Sequence, residues 1–180
     1  VLAFCPGEAE IKRIMTRLAP QVSPEVKIFP LYGAMDFALQ RQAIQPMTSG
    51  RKVVLATSIA ETSLTIQDIS IVVDGGLARR AKFDPATGMS RLITEKVSRA
   101  EATQRMGRAG RVRAGYCFKL WSKAEEGTLP AFAPPEIETS DLTGLALELA
   151  QWGSPPDAMA FLTQPNPALM AEAQQVLGML

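Results

Sequence analysis

The eight residues QRMGRAGR, Gln104 to Arg111, place Arg105, Arg108 and Arg111 three positions apart, with Gly107 and Gly110 among them. Three guanidiniums this close repel one another, and the only acidic residue nearby is Glu101. Each glycine also weakens a helix by about 1 kcal/mol relative to alanine. An anionic partner explains both features. The guanidinium fork matches phosphate oxygens, and glycine removes the bulk that would keep a second surface from the backbone. An arginine that completes a phosphoryl-transfer site is worth about 10³–10⁵ in rate. Gln104 adds an amide able to orient a water or a phosphate oxygen. The competing reading, a basic helix end facing solvent, leaves the glycines without a purpose.

A second group of polar residues is ATSIAETSLTI, residues 56–66, directly after a β-branched run. Thr57, Ser58, Thr62, Ser63 and Thr65 crowd a short segment that also holds Glu61. In doubly wound sheets, ligands bind beyond the carboxyl ends of the strands. Hydroxyls and free amides there contact phosphate and sugar without reading bases. The alternative is a loop whose hydroxyls merely cap backbone amides. No glycine is followed at the right distance by Gly-Lys-Ser/Thr, so this chain is not expected to cradle a triphosphate alone.

Composition narrows the chemistry. The chain has no histidine, which excludes Ser-His and Cys-His nucleophiles. Cys5 and Cys117 sit in no metal-ligand spacing, so no metal site is expected, and two lone cysteines fit a reducing cytoplasm. No apolar run reaches the roughly 20 residues that span a bilayer. The net charge of +1 hides an asymmetry: Arg79 to Arg113 holds ten basic and three acidic residues, and the rest of the chain is net acidic. A solvated face is the ordinary reading of a basic cluster, but this concentration favours an anionic partner.

The elements that must position these residues alternate in type. VLAF, VKIFPLYG, RKVVLAT, ISIVVDGG and GYCFKLW read as strands. EAEIKRIMTRLA, DFALQRQAIQPM and RAEATQRMGRAG read as helices; Asp36 caps the second, Pro46 ends it, and Gly110 ends the third. The pattern predicts an α/β fold, a doubly wound, mostly parallel sheet with helices on both faces. ARRAKFD and SRLITEKV around PATG predict an inserted β-hairpin. LPAFAPPEI marks a boundary, dividing residues 1–135 from 136–180. Two helices, DLTGLALELAQWG and PALMAEAQQVLGML, follow it, and the second region is expected to stop short of closing its own core. The strand at the first residue suggests a piece of a longer protein.

These stretches resemble superfamily 2 helicases of the DEAH-box type. ATSIAETSLTI resembles helicase motif V, QRMGRAGR resembles motif VI, and LAFCPGEAEI looks like motif IV; LYGAMDFALQRQAI and VVDGGLAR are also typical. The resemblance covers the whole chain. It implies the second of two RecA-like domains, followed by the start of a winged-helix domain. ATP with Mg²⁺ would bind chiefly on the first domain, absent here, which supplies the phosphate loop and the magnesium site. Gln104, Arg108 and Arg111 would then face the γ-phosphate, the two arginines as fingers, while Arg105 pairs or packs within the domain. Ser63 would sense the nucleotide state, Asp74 would lie near the ribose, and Ile44 would offer the base an aliphatic shelf of weak selectivity. Thr57 and Ser58 would touch the nucleic-acid backbone. Many relatives carry asparagine where Ser58 stands, so an altered contact is expected there. Arg79, Arg80, Lys82 and Arg91 of the hairpin would attract the strand.

The function so implied is a 3′-to-5′ ATP-driven helicase acting on single-stranded nucleic acid, RNA by the wording of the motifs, with no membrane association. Two alternatives remain: a passive nucleic-acid-binding module, and a DNA-directed translocase of the same superfamily. A passive binder would favour aromatics for base stacking, and the basic stretch holds only Phe83.

Overall fold

The computed structural model describes residues 1–62, 64–111 and 113–179. Five strands, β1 (Leu2–Phe4), β2 (Val26–Leu31), β3 (Arg51–Ala56), β4 (Ile71–Asp74) and, later in the chain, Tyr116–Lys119, form one sheet with every pairing parallel. Between them come β5 (Leu77–Asp84) and β6 (Met89–Lys96), which pair only with each other as the predicted hairpin, so that Tyr116–Lys119 is β7. The spatial order is β2-β3-β1-β4-β7.

Both faces of the sheet are covered, as the two-residue period of a strand requires. Leu2, Phe4, Val54, Ala56 and Val72 point to one face, where Ala43 of α2 (Phe37–Ile44) and Ala109 pack. Cys5 and Leu55, with Ala3 and Val53, point to the other and meet Ile11 and Met15 of α1 (Glu8–Leu18). Asp36 caps α2 as expected, its Oδ1 accepting from Ala38 N–H at 2.8 Å. The carboxyl end of α2 is held by buried Lys52, whose Nζ donates to Ala43 O at 3.2 Å and Gln45 O at 2.6 Å. A cation there complements the helix dipole, and burial pushes its pKa down.

The helix that carries the arginine row, α3 (Arg99–Gly107), begins at a capping box: Ser98 Oγ accepts from Glu101 N–H, and Glu101 Oε2 accepts from Ser98 N–H. It ends earlier than the predicted Gly110. Arg108, Ala109 and Gly110 donate instead to the carbonyls of residues 105, 106 and 107. Such i→i−3 bonds tighten the turn to about three residues, so side chains three apart line up rather than drift around the axis. The three-residue spacing of the arginines matches that period.

Gly76, between β4 and β5, has φ +69°, and a Cβ there would lie 2.8 Å from Trp121 Cε3. Only glycine fits the close approach of that indole. The sequence reading missed α4 (Lys123–Thr128), which opens on a second capping box at Ser122 and Glu125.

The chain divides into two compact units: Val1–Arg79 with Thr94–Ala133, and Arg80–Ile93 with Pro134–Leu180. The hairpin's distal part thus groups with the C-terminal region, a departure from a simple cut at residue 135. That second unit holds α5 (Glu136–Thr139), α6 (Thr143–Trp152) and α7 (Pro167–Leu177). It closes a core of its own, contrary to expectation: Leu142, Ala146, Leu149, Leu169, Met170 and Ala173 are buried together, with Phe83 of the hairpin packed against them. Among the described residues from 134 on there are helices and no strand, so the paired strands of a winged helix are not seen there.

Candidate functional site

The row of arginines on α3 and its tightened end faces the segment that follows β3, and each arginine meets a different part of it. Arg105 is wholly buried. Its Nε donates to Glu61 Oε1 at 2.7 Å, its Nη1 to Asp74 Oδ1 at 2.8 Å and to Leu77 O at 3.2 Å, and its Nη2 lies 2.7 Å from Glu61 Oε1. The guanidinium also stands 4.8 Å from the centre of the Phe4 ring, a cation–π distance. One side chain therefore ties β1, the loop after β3, the end of β4 and the start of β5.

Arg108 is only 6 % exposed. Its Nη1 donates to Leu64 O at 2.8 Å and its Nη2 to Glu61 O. These partners are main-chain carbonyls rather than carboxylates, so the buried positive charge is hydrogen-bonded to dipoles, and the Glu61 charge offsets it from nearby. Burial, and then the charge of Arg111, push its pKa down. An anion arriving here would relieve both effects. Arg111 is exposed and donates from Nη1 to Thr65 Oγ1 at 2.7 Å, an exchangeable tether.

Glu61, Thr62, Gln104, Gly107, Arg108 and Arg111 line a shallow groove of about 310 Å³. The expected trio of Gln104, Arg108 and Arg111 therefore shares one surface. The carboxylate of Glu61 is turned onto Arg105; burial raises its pKa, which the Arg105 charge opposes. A methyl group added at Gly107 or Gly110 would meet no described atom within 4 Å. Among the described residues of this unit nothing needs glycine at either place, whereas a surface approaching from outside would.

Other expected residues fall elsewhere. Asp74 is fully buried, its Oδ1 taken by Arg105 and by Gly76 N–H at 2.9 Å, so it is an internal anchor with no surface for a ribose. Ile44 packs half-buried against the core of the sheet instead of standing out as a free shelf. Ser63 lies outside the described residues. Thr57 caps a short 3₁₀ turn, Ser58–Ala60, at the carboxyl end of β3, with Ser58 exposed. On the hairpin, Arg79 is committed to Glu10, with Nη2 3.3 Å from each carboxylate oxygen. Arg91 pairs with Asp84 at 3.3 Å, and Lys82 is exposed while Arg80 is half-buried.

Sequence reasoning left Glu61 without assigned work, while Arg105 pairs within the domain as the resemblance implied. The signal was present in the spacing: arginines at 105, 108 and 111 address residues 61, 64 and 65, so the two motifs are halves of one interface.

Parallel sheet, arginine row and the groove they form define the class. The chain belongs to the helicase conserved C-terminal domain family, which it matches over residues 1–113. It is 49 % identical over 182 residues to the ATP-dependent RNA helicase HrpB of Escherichia coli (strain K12), covering 100 % of this chain and 22 % of that protein. It is 37 % identical to the ATP-dependent RNA helicase DEAH11, chloroplastic, of Arabidopsis thaliana, covering 100 % of this chain and 10 % of that one. A crystal structure of the Escherichia coli DEAH/RHA helicase HrpB superposes with a TM-score of 0.93 at 48 % identity, over 99 % of this chain and 23 % of that chain. The chain thus spans less than a quarter of the length of these relatives. Among the described residues, no helix is long and apolar enough to cross a membrane.

Proposed function

We propose that this chain is the second RecA-like motor domain of an ATP-dependent 3′-to-5′ RNA helicase, and that its groove supplies the groups that meet the γ-phosphate. The observation that carries this reading is the arginine pair at the groove: Arg108 is buried with its donors on main-chain carbonyls, and Arg111 is exposed, donating to the Thr65 hydroxyl. The first domain of the intact protein would hold most of the nucleotide, together with Mg²⁺, which neutralises phosphate charge there. The names of the similar proteins, ATP-dependent RNA helicases, support RNA as the strand. Two free cysteines support a reducing compartment, the cytoplasm.

In this reading Arg111 swings from Thr65 onto a γ-phosphate oxygen when the domains close. Arg108 adds a fixed positive charge beneath it, and Gln104 orients a water or a phosphate oxygen. Gly107 and Gly110 let the opposing surface come close enough for this. Charge developing in the transition state is stabilised by donors already in place, the main source of catalysis in phosphoryl transfer. Thr57 and Ser58 hold the strand by its backbone, so closure and reopening advance it.

The test is Arg111→Ala in the full-length protein. Nucleotide affinity should stay within about threefold, while turnover falls by about 10³ or more, the usual worth of such a finger. Turnover near wild type would refute the assignment. ATP turnover on RNA strands and on DNA strands of the same sequence should differ in favour of RNA.

A further inference from the structure

Arg105 and Glu61 form a buried ion pair beside the groove, and the proposed chemistry leaves both unused. Arg105 has no exposed surface, so it reaches neither nucleotide nor strand. Its guanidinium is clamped from opposite sides by Asp74 Oδ1 at 2.8 Å and Glu61 Oε1 at 2.7 Å. Asp74 is in turn fixed by Gly76 N–H at 2.9 Å.

Glu61 is held at three points. Its carboxylate is on Arg105, its N–H donates to Ser58 O at 2.9 Å, and its own carbonyl accepts from Arg108 Nη2. Among the described residues, the Arg108 guanidinium rests on that carbonyl and on Leu64 O at 2.8 Å. A shift of the Glu61 backbone would therefore move the acceptor that aims Arg108. Among the described residues, no salt bridge holds Arg108, although the charge of Glu61 acts on it.

We infer that Glu61, anchored by Arg105, is the positioning residue for Arg108, setting that guanidinium's aim through its main-chain carbonyl without touching the nucleotide. The inference rests on the reading of Arg108 as a γ-phosphate-facing group. A misplacement of the order of 1 Å in such a group loses about 10²-fold in rate, so a displaced Glu61 shows in turnover before it shows in nucleotide binding.

The experiment is a double-mutant cycle on the full-length protein, with Glu61→Gln, Arg108→Ala and the pair assayed for RNA-stimulated ATP turnover at a temperature where melting curves show each variant folded. Glu61→Gln alone should lower kcat by about tenfold or more with KM for ATP within about threefold, the signature of an interaction made only in the transition state. In the Arg108→Ala background it should lower kcat by less than about twofold, because residues acting as a unit are not additive. If the two losses multiply, or Glu61→Gln leaves kcat at wild type while Arg108→Ala removes it, the inference falls and the proposed function stands. If Arg108→Ala itself leaves kcat at wild type, the finger role of Arg108 falls and the inference with it. Should Glu61→Gln not fold, Arg105→Lys takes its place in the same cycle: it keeps a cation beside Asp74 and loses the Nε–H that grips Glu61.

Discussion

Arg108 and Arg111 are expected to lose activity together and stability separately, because their surroundings differ. Removing the Arg108 side chain strips the donors from Glu61 O and Leu64 O at a site only 6 % exposed. A buried acceptor left unsatisfied costs about 1–3 kcal/mol. The open groove admits some water, so Arg108→Ala should destabilise the domain by about 2–4 kcal/mol in all. For a domain of this size, about 2–4 °C of melting temperature follows each kcal/mol, which puts the shift at about 5–15 °C. Arg111→Ala frees one exposed hydroxyl, a change of within about 0.5 kcal/mol and so under about 2 °C. The assay is a thermal melt of each variant beside its ATP turnover, with both variants expected to lose most turnover. Equal melting shifts, or a larger one for Arg111→Ala, would refute the burial argument whatever turnover does.

Gly107→Ala should leave melting unchanged or raise it by up to about 1 kcal/mol in helix propensity, yet lower turnover in the full-length protein, since only an opposing surface needs the space; wild-type turnover would sink the close-approach reading. Lys82→Ala should weaken nucleic-acid binding evenly across sequences and reduce the slope of log K against log salt by about 1, with an unchanged slope placing Lys82 off the strand. Burial pushes the Cys5 thiol up to about 11 from 9.0. A raised thiol pKa contributes stability that is fully present below the unfolded value and lost as pH rises through the folded one. Melting temperature should therefore fall between pH 9.0 and about 11 more steeply in wild type than in Cys5→Ala, and parallel curves would contradict it.

The sheet was legible because its strands obey simple rules: short β-branched runs between helical periods, closed by glycine or proline, as at Gly33, Pro46 and Gly75. The capping box at Ser98 and Glu101 was not recognised, and α4 was missed because six residues leave no periodicity to detect. The end of α3 was misplaced by three residues: glycine propensity points to Gly110, whereas the switch to i→i−3 bonding starts at Arg108. At the site, residue types gave the chemistry but not the depth. Asp74 read as a residue near a ribose, and burial, a property of the folded sheet, turned it into the internal partner of Arg105. The grouping of the hairpin's distal part with the C-terminal helices was equally invisible, because Phe83 carries no local mark of a partner more than fifty residues away.

Three like residues at one spacing do three kinds of work because the row climbs out of the core. Arg105 lies under the surface between two carboxylates, Arg108 lies just beneath it on two carbonyls, and Arg111 stands in solvent on a hydroxyl. The partners weaken in the same order, from charge to dipole to exchangeable hydroxyl, so freedom to move toward an outside anion increases along the row. Lysine would fail at the first two places, since a point charge cannot grip acceptors in separate directions as the planar fork does. The spacing is thus set by the loop that the row docks on as much as by any phosphate. A one-residue insertion between Arg105 and Arg108 would leave the inner pair intact and unseat both outer arginines, whereas one before Gln104 would disturb all three.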